Sequence, residues 1–185
     1  MIKKGFTLIE LLIVIAVLGI LAIAVLAAIN PIEQINRSRD TGSRSDAEQL
    51  LSAIDRYYAS VGYYPWETDE DTPPPVSTGP TLVAVAWIDD DDVSVLEKLG
   101  SGATSGTGEL KESFTNRIVE TDYNDLTVYN RGTQGDSTYV CFLPRSGSFL
   151  DAAEKRCGTG MPDDIADDVA SDTMCPDTAW LSCLP

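Results

Sequence analysis

One carboxylate stands where hydrocarbon is expected. From Phe6 to Ile29 the chain is apolar apart from Thr7, Glu10 and Gly19, so Glu10 is the single charged group in that run. An acidic residue at the centre of a membrane helix costs ~2.5–3.5 kcal/mol on insertion scales, and less near the membrane edge. Something must offset that cost, so Glu10 is a candidate for charge pairing. Cys141, Cys157, Cys175 and Cys183 are the only cysteines. They suit disulfides better than zinc, because there is no C-x-x-C spacing and no histidine to join them. Two aspartate clusters, Asp89–Asp92 and Asp163, Asp164, Asp167 and Asp168, offer the oxygen ligands that calcium takes. Neither forms a D-x-[DN]-x-[DN]-G loop, and charge runs are usually solvated faces, so no metal site is assigned.

The remaining catalytic chemistries lack their residues. The chain has no histidine, which removes the commonest general base. It has no G-x-S-x-G and no nucleotide-binding glycine loop, so no catalytic residue and no cofactor are assigned. Its 29 acidic and 13 basic side chains give a formal charge of −16, a surface that repels nucleic-acid phosphates.

The elements that hold these residues follow from pattern. The 24 residues Phe6–Ile29 exceed the ~20 needed to cross a bilayer as a helix. The run is longer than the ~7–15-residue core of a cleaved secretory signal, and no small-x-small site closes it. On these grounds alone it reads as a plain signal anchor. Asn30-Pro31 then predicts a bend or local opening near Ala27, since proline removes a donor and crowds the carbonyl four residues back. A polar stretch of poor helix formers containing Gly42 comes next. From Ala47 to Val61 apolar residues return every three or four positions, an amphipathic helix that Asp46 caps if it starts afresh and that Gly62 ends. Beyond it, "TLVAVAWI", "LTVYNRG" and "STYVCFLP" read as strands, "SVLEKLG" as a helical turn, and "SFLDAAEKRC" as a short helix capped by Ser148. The "GSGATSGTGEL" stretch reads as an exposed loop, and the tail from Met161 shows little regular pattern. The expected fold is α+β: a long interrupted helix from Phe6 to about Ser60, its second half packed on a small antiparallel sheet. Two disulfides are expected in the carboxyl-terminal region. Of the three pairings that four cysteines permit, Cys141 with Cys157 and Cys175 with Cys183 is the expectation, tying a strand to its following segment and closing the tail.

"KKGFTLIELLIVIAVLGILA" resembles the start of type IV pilins and of the pseudopilins of type II secretion. The family pattern is a short basic leader ending in glycine, then phenylalanine, then an apolar run with glutamate at its fifth place. Here these are Lys3, Lys4, Gly5, Phe6 and Glu10. A weaker likeness continues through "AEQLLSAIDRYYASVGYYP". The resemblance implies cleavage between Gly5 and Phe6 by a prepilin peptidase, and methylation of the new Phe6 amine. It implies that Glu10 of one subunit pairs with the Phe6 amine of its neighbour. A helical Glu10 would also stand four residues from its own Phe6, ~6 Å along the axis, with its charge near the positive end of the helix dipole.

The resemblance further implies a leader at 1–5, a membrane or filament-core helix at 6–29, an amphipathic continuation at 30–61 and an exported globular domain at 62–185. The leader lies in the cytoplasm, and the chain is held in the inner membrane before it joins an extracellular or periplasmic filament. The partners implied are other copies of the chain, the peptidase, the inner-membrane pilus or secretion machinery, and minor pilins. The favoured function is a structural subunit of a type IV pilus or pilus-like filament. The alternative is the major pseudopilin of a type II secretion system, towards which the tyrosine-rich turn leans, while the cysteine-bearing tail leans towards a pilin. A membrane-anchored extracytoplasmic enzyme or binding protein is the remaining class, and the catalytic inventory above gives it no residues.

Overall fold

The computed structural model describes residues 5–28, 30–66, 83–84, 94–102, 106–120, 123, 125–131, 136–165, 174–176 and 180–185. Two helices lead: α1 (Leu8–Ala28) and α2 (Pro31–Val61). The break falls at Asn30, whose extended backbone and side-chain oxygen cap α2 by accepting from Glu33 N. Pro31 takes the first helical position, where its missing N–H leaves nothing unsatisfied. The helical run therefore opens just past Ala27, and the proline starts a second helix. α2 ends at Gly62, which adopts φ 95° and donates its N–H to Tyr58 O at 2.8 Å. Only glycine takes that left-handed closing turn without strain.

The stretch around Gly42 is helical throughout, against its propensity. Its polar residues are anchored from outside the helix: Asp40, Ser43 and Asp46 are all buried. Asp46 lies within the helix and caps nothing. Further along, Ala47, Leu50, Ala53, Ile54 and Tyr57 form one buried stripe, at the three-and-four spacing expected of a helix facing a core.

That core is closed by short elements: β1 (Val83–Ala84), α3 (Val95–Leu99), α4 (Glu112–Ile118), β2 (Thr127–Tyr129), β3 (Tyr139–Phe142), α5 (Gly147–Thr159) and β4 (Ser182–Leu184). The strands make one antiparallel sheet in the order β1-β2-β3-β4. β3 is buried at every residue because both faces are covered. Val140 and Phe142 join the α2 stripe, with Phe114 and Leu99 from the small helices. Tyr139 and Cys141 point the other way, into a second cluster with Ile165, Met174 and Cys183, as strand alternation requires.

The α+β architecture is as the sequence implies, with additions. α4 and β4 carry no pattern legible beforehand. Of "TLVAVAWI" only Val83–Ala84 lies among the described residues. α5 is capped at Ser146, not Ser148. The cysteines are all oxidised, but they pair differently from expectation: Cys141 with Cys183, and Cys157 with Cys175. The physical reason is the sheet. β4 lies beside β3 with Cys141 directly opposite Cys183, which brings their Cα atoms to 4.0 Å. Cys157, near the end of α5, is left to Cys175.

Candidate assembly site at the amino terminus

α1 carries no core of its own. Residues Leu8–Ala27 have a mean hydropathy of 3.1 and none of that window is buried; by length and composition it can cross a membrane. Its large side chains are exposed all round, from Leu8 at 82% to Val17 at 50%. A helix apolar on every face must be covered by lipid or by other helices.

Glu10 stands at the third position of this helix and is held there by the chain itself. Thr7 donates to Glu10 Oε2 from its main-chain N at 2.9 Å and from its hydroxyl at 2.7 Å. In return, Glu10 N donates to Thr7 Oγ1 at 3.3 Å. This is a reciprocal capping box, satisfying donors that the helix start leaves open. It also corrects one expectation: Phe6 and Thr7 precede the helix, so no helical spacing joins Phe6 to Glu10. The residue that orients Glu10, and that the sequence reading does not single out, is Thr7. Its signal was present, since Thr-x-x-Glu ahead of an apolar run is itself a helix-start pattern. Both hydrogen bonds fall on Oε2, and Oε1 meets no donor among the described residues.

The folded domain is fastened to α2 by two carboxylates, one buried and one half-buried. Asp40, fully buried, accepts from Arg145 N at 2.9 Å, Ser146 N at 2.8 Å and Ser146 Oγ at 2.5 Å. Glu33, two turns earlier, accepts from Gly147 N at 3.2 Å. Two acids of α2 thus cap α5 in place of a side chain from α5 itself, as anions at a helix start should. Asp46 meets Arg117 at 2.5 Å and the Tyr123 hydroxyl. Burial pushes the Asp46 carboxyl above its ordinary value, against the pull of Arg117.

The Asp163–Asp164 cluster is already engaged by protein donors. Asp164 accepts from Ser137 N at 2.9 Å and the Tyr139 hydroxyl at 2.7 Å. Arg131 grips the Asp136 carboxylate with two nitrogens at 2.9 Å and donates to Asp163 O at 2.9 Å. Burial acts to raise the Asp164 carboxyl, but the Ser137 and Tyr139 donors outweigh it and hold the group below its ordinary value. Tyr139 is pushed up to about 12, first by burial and then by its bond to Asp164. Among the described residues no group of three acidic or cysteine side chains is arranged to hold a metal. Asp89–Asp92, Asp167 and Asp168 lie outside the described residues.

α1 is long and apolar enough to cross a membrane, and the described residues of the folded domain leave it uncovered. The comparison with protein families gives the class: residues 1–26 match the prokaryotic N-terminal methylation motif, the prepilin motif of type IV pilins and pseudopilins. The chain thus carries the amino-terminal motif of type IV pilins and pseudopilins. No curated protein and no solved structure matches the chain.

Proposed function

We propose that the protein is a structural, non-enzymatic subunit of a type IV pilus or pilus-like filament. A prepilin peptidase cleaves between Gly5 and Phe6, removing Lys3 and Lys4, and the freed Phe6 amine is methylated. Residues 6–29 then leave the bilayer for a filament core of like helices. Residues 30–61 carry the exported domain, 62–185, outside. Before assembly the leader faces the cytoplasm. Copies of the chain are the main partners, with the inner-membrane assembly machinery and minor pilins beside them.

The observation that carries this reading is Glu10. Within an uncovered apolar helix its carboxylate is oriented by Thr7 through one oxygen, leaving Oε1 for a donor from elsewhere. The Phe6 amine of a neighbouring subunit is a cation of the right sign. An ion pair in that low-dielectric setting is stabilising only when both partners are present, because a lone buried charge costs several kcal/mol. The two disulfides suit a domain in an oxidising compartment, whether periplasm or cell exterior. They fasten the tail to β3 and α5.

The test expresses each variant as the only copy and measures the ratio of filament to membrane-held subunit. Glu10→Leu should insert and be cleaved normally, since it makes the segment more apolar, yet fail to assemble. Glu10→Gln should be intermediate or equally poor. A wild-type filament yield from Glu10→Leu with normal cleavage would show the carboxylate to be dispensable.

A further inference from the structure

The two disulfides are nested. In chain order the first cysteine is bonded to the fourth and the second to the third, across separations of 42 and 18 residues. An unfolded chain favours the other arrangement. Cys141 and Cys157 stand 16 residues apart (157 − 141), and Cys175 and Cys183 stand 8 apart (183 − 175). The cost of closing a loop grows as (3/2)RT ln n, so these short loops close about fourfold and about twelvefold more readily than the loop of 42 that Cys141–Cys183 requires. Chain order adds to the bias. On passage out of the cytoplasm, Cys141 and Cys157 meet the oxidant before Cys175 and Cys183 do.

The native outer bond depends on tertiary structure. Cys183 stands opposite Cys141 only once β4 has paired with β3. β4 is held as well by Arg156 of α5, which donates to Cys183 O at 2.8 Å. A Cys141–Cys157 bond made earlier takes the sulfur that β4 must meet. The finished pair is also protected from return. Cys141 is 0% and Cys183 5% exposed, out of reach of an attacking thiolate, whereas Cys157 and Cys175 are only half-buried.

We propose that the chain is a substrate of a thiol–disulfide isomerase, which converts consecutive pairs into the nested pairs of the native domain. A thiolate of the isomerase attacks Cys157 Sγ of the Cys141–Cys157 bond. This forms a mixed disulfide and frees the Cys141 thiolate. Cys141 then attacks Cys183 Sγ of the Cys175–Cys183 bond, making the outer native pair and freeing Cys175. Cys175 attacks the mixed disulfide at Cys157 Sγ, making the inner pair and returning the isomerase thiolate. Each exchange breaks one S–S bond and makes one, so no net electrons are needed. Burial of Cys141–Cys183 draws the sequence forward. The role in the cell rests on export of residues 62–185 to an oxidising compartment, and not on filament formation.

Oxidation of the reduced, denatured full chain in detergent tests this. The thiol-free oxidant diamide is present while denaturant is diluted, and is then removed. Non-reducing proteolysis with mass spectrometry counts each cysteine pair. With diamide alone, Cys141–Cys157 and Cys175–Cys183 should dominate. A catalytic amount of purified C-x-x-C protein disulfide isomerase should then raise the Cys141–Cys183 yield at least about fourfold, the ratio that loop closure sets. The same isomerase with both cysteines changed to alanine should leave the pairs as they were. A chain carrying Cys157→Ser and Cys175→Ser has no wrong partner to choose, so it should form Cys141–Cys183 with diamide alone. Four results would overturn the proposal: full native pairing with diamide alone, no conversion by the active isomerase, equal conversion by the inactive one, or equal dependence on the isomerase in the doubly substituted chain. A chain that shuffles as expected but never assembles would leave this inference intact and remove the filament reading alone.

Discussion

Replacing Asp40 by alanine should unfasten the domain from α2. The carboxylate is fully buried and holds two main-chain amides and one hydroxyl. Alanine leaves all three donors without their acceptor. A hydrogen bond to a charged group contributes ~1.5–3 kcal/mol and a buried donor left open costs ~1–3 kcal/mol. Three such losses do not add fully, because Arg145 lies at the edge and water can reach its amide. A net loss of about 3–5 kcal/mol is expected, set against ~5–15 kcal/mol for a typical domain. Asp40→Asn keeps one acceptor oxygen and should lose about half as much. Glu33→Ala removes a single, more exposed bond and should cost under about 1 kcal/mol. The assay is guanidinium unfolding of the full chain in detergent with disulfides intact, followed by tryptophan fluorescence, with midpoint and slope fitted together. Trp66 is 4% exposed and sits in the core that α2 covers, so it reports the event. A loss below about 1 kcal/mol for Asp40→Ala, at unchanged slope, would refute the argument that this carboxylate is the fastening.

Other expectations follow from the same geometry. Non-reducing proteolysis with mass spectrometry should recover Cys141 linked to Cys183 and Cys157 linked to Cys175, and no Cys141–Cys157 peptide. Gly42→Ala should stabilise by about 0.5–1 kcal/mol, because the position is helical and a Cβ there meets nothing within 4 Å; a loss in the same unfolding assay would contradict this. Tyr139 holds its proton more tightly folded than unfolded. Its contribution is therefore complete below its ordinary value of 10.0 and lost as pH rises towards about 12; Tyr139→Phe should flatten the fall in stability over that window. Asp164 has the opposite sign: its lowered pKa gives stability above the ordinary carboxylate value of 3.8 that is lost as pH falls through the depressed one, and Asp164→Asn should remove that acid-side slope.

What could be read beforehand divides along physical lines. The apolar span, the buried stripe of α2 and its stop at Gly62 depend on local periodicity and turn chemistry, so the residues themselves announce them. The helix across Arg37–Asp46 does not, because its support is distant in sequence: Arg145 and Ser146 hold Asp40, and Arg117 and Tyr123 hold Asp46. β4 was illegible for a similar reason: three residues, Ser182–Leu184, become a strand by lying against β3, where Cys183 meets Cys141. The disulfide expectation failed at this point, since strand order decides which sulfurs meet and the tail showed no strand. At the amino terminus Glu10 stands out as an anomaly, while Thr7, the residue that orients it, reads in the sequence as one more polar interruption.

The most direct test is the mass and terminal sequence of the subunit taken from assembled filaments. That subunit should begin at Phe6, carry a methyl group on its terminal amine and lack residues 1–5. Filaments built from chains that begin at Met1 would contradict it, since an uncleaved subunit has no Phe6 amine for Glu10 of its neighbour to meet.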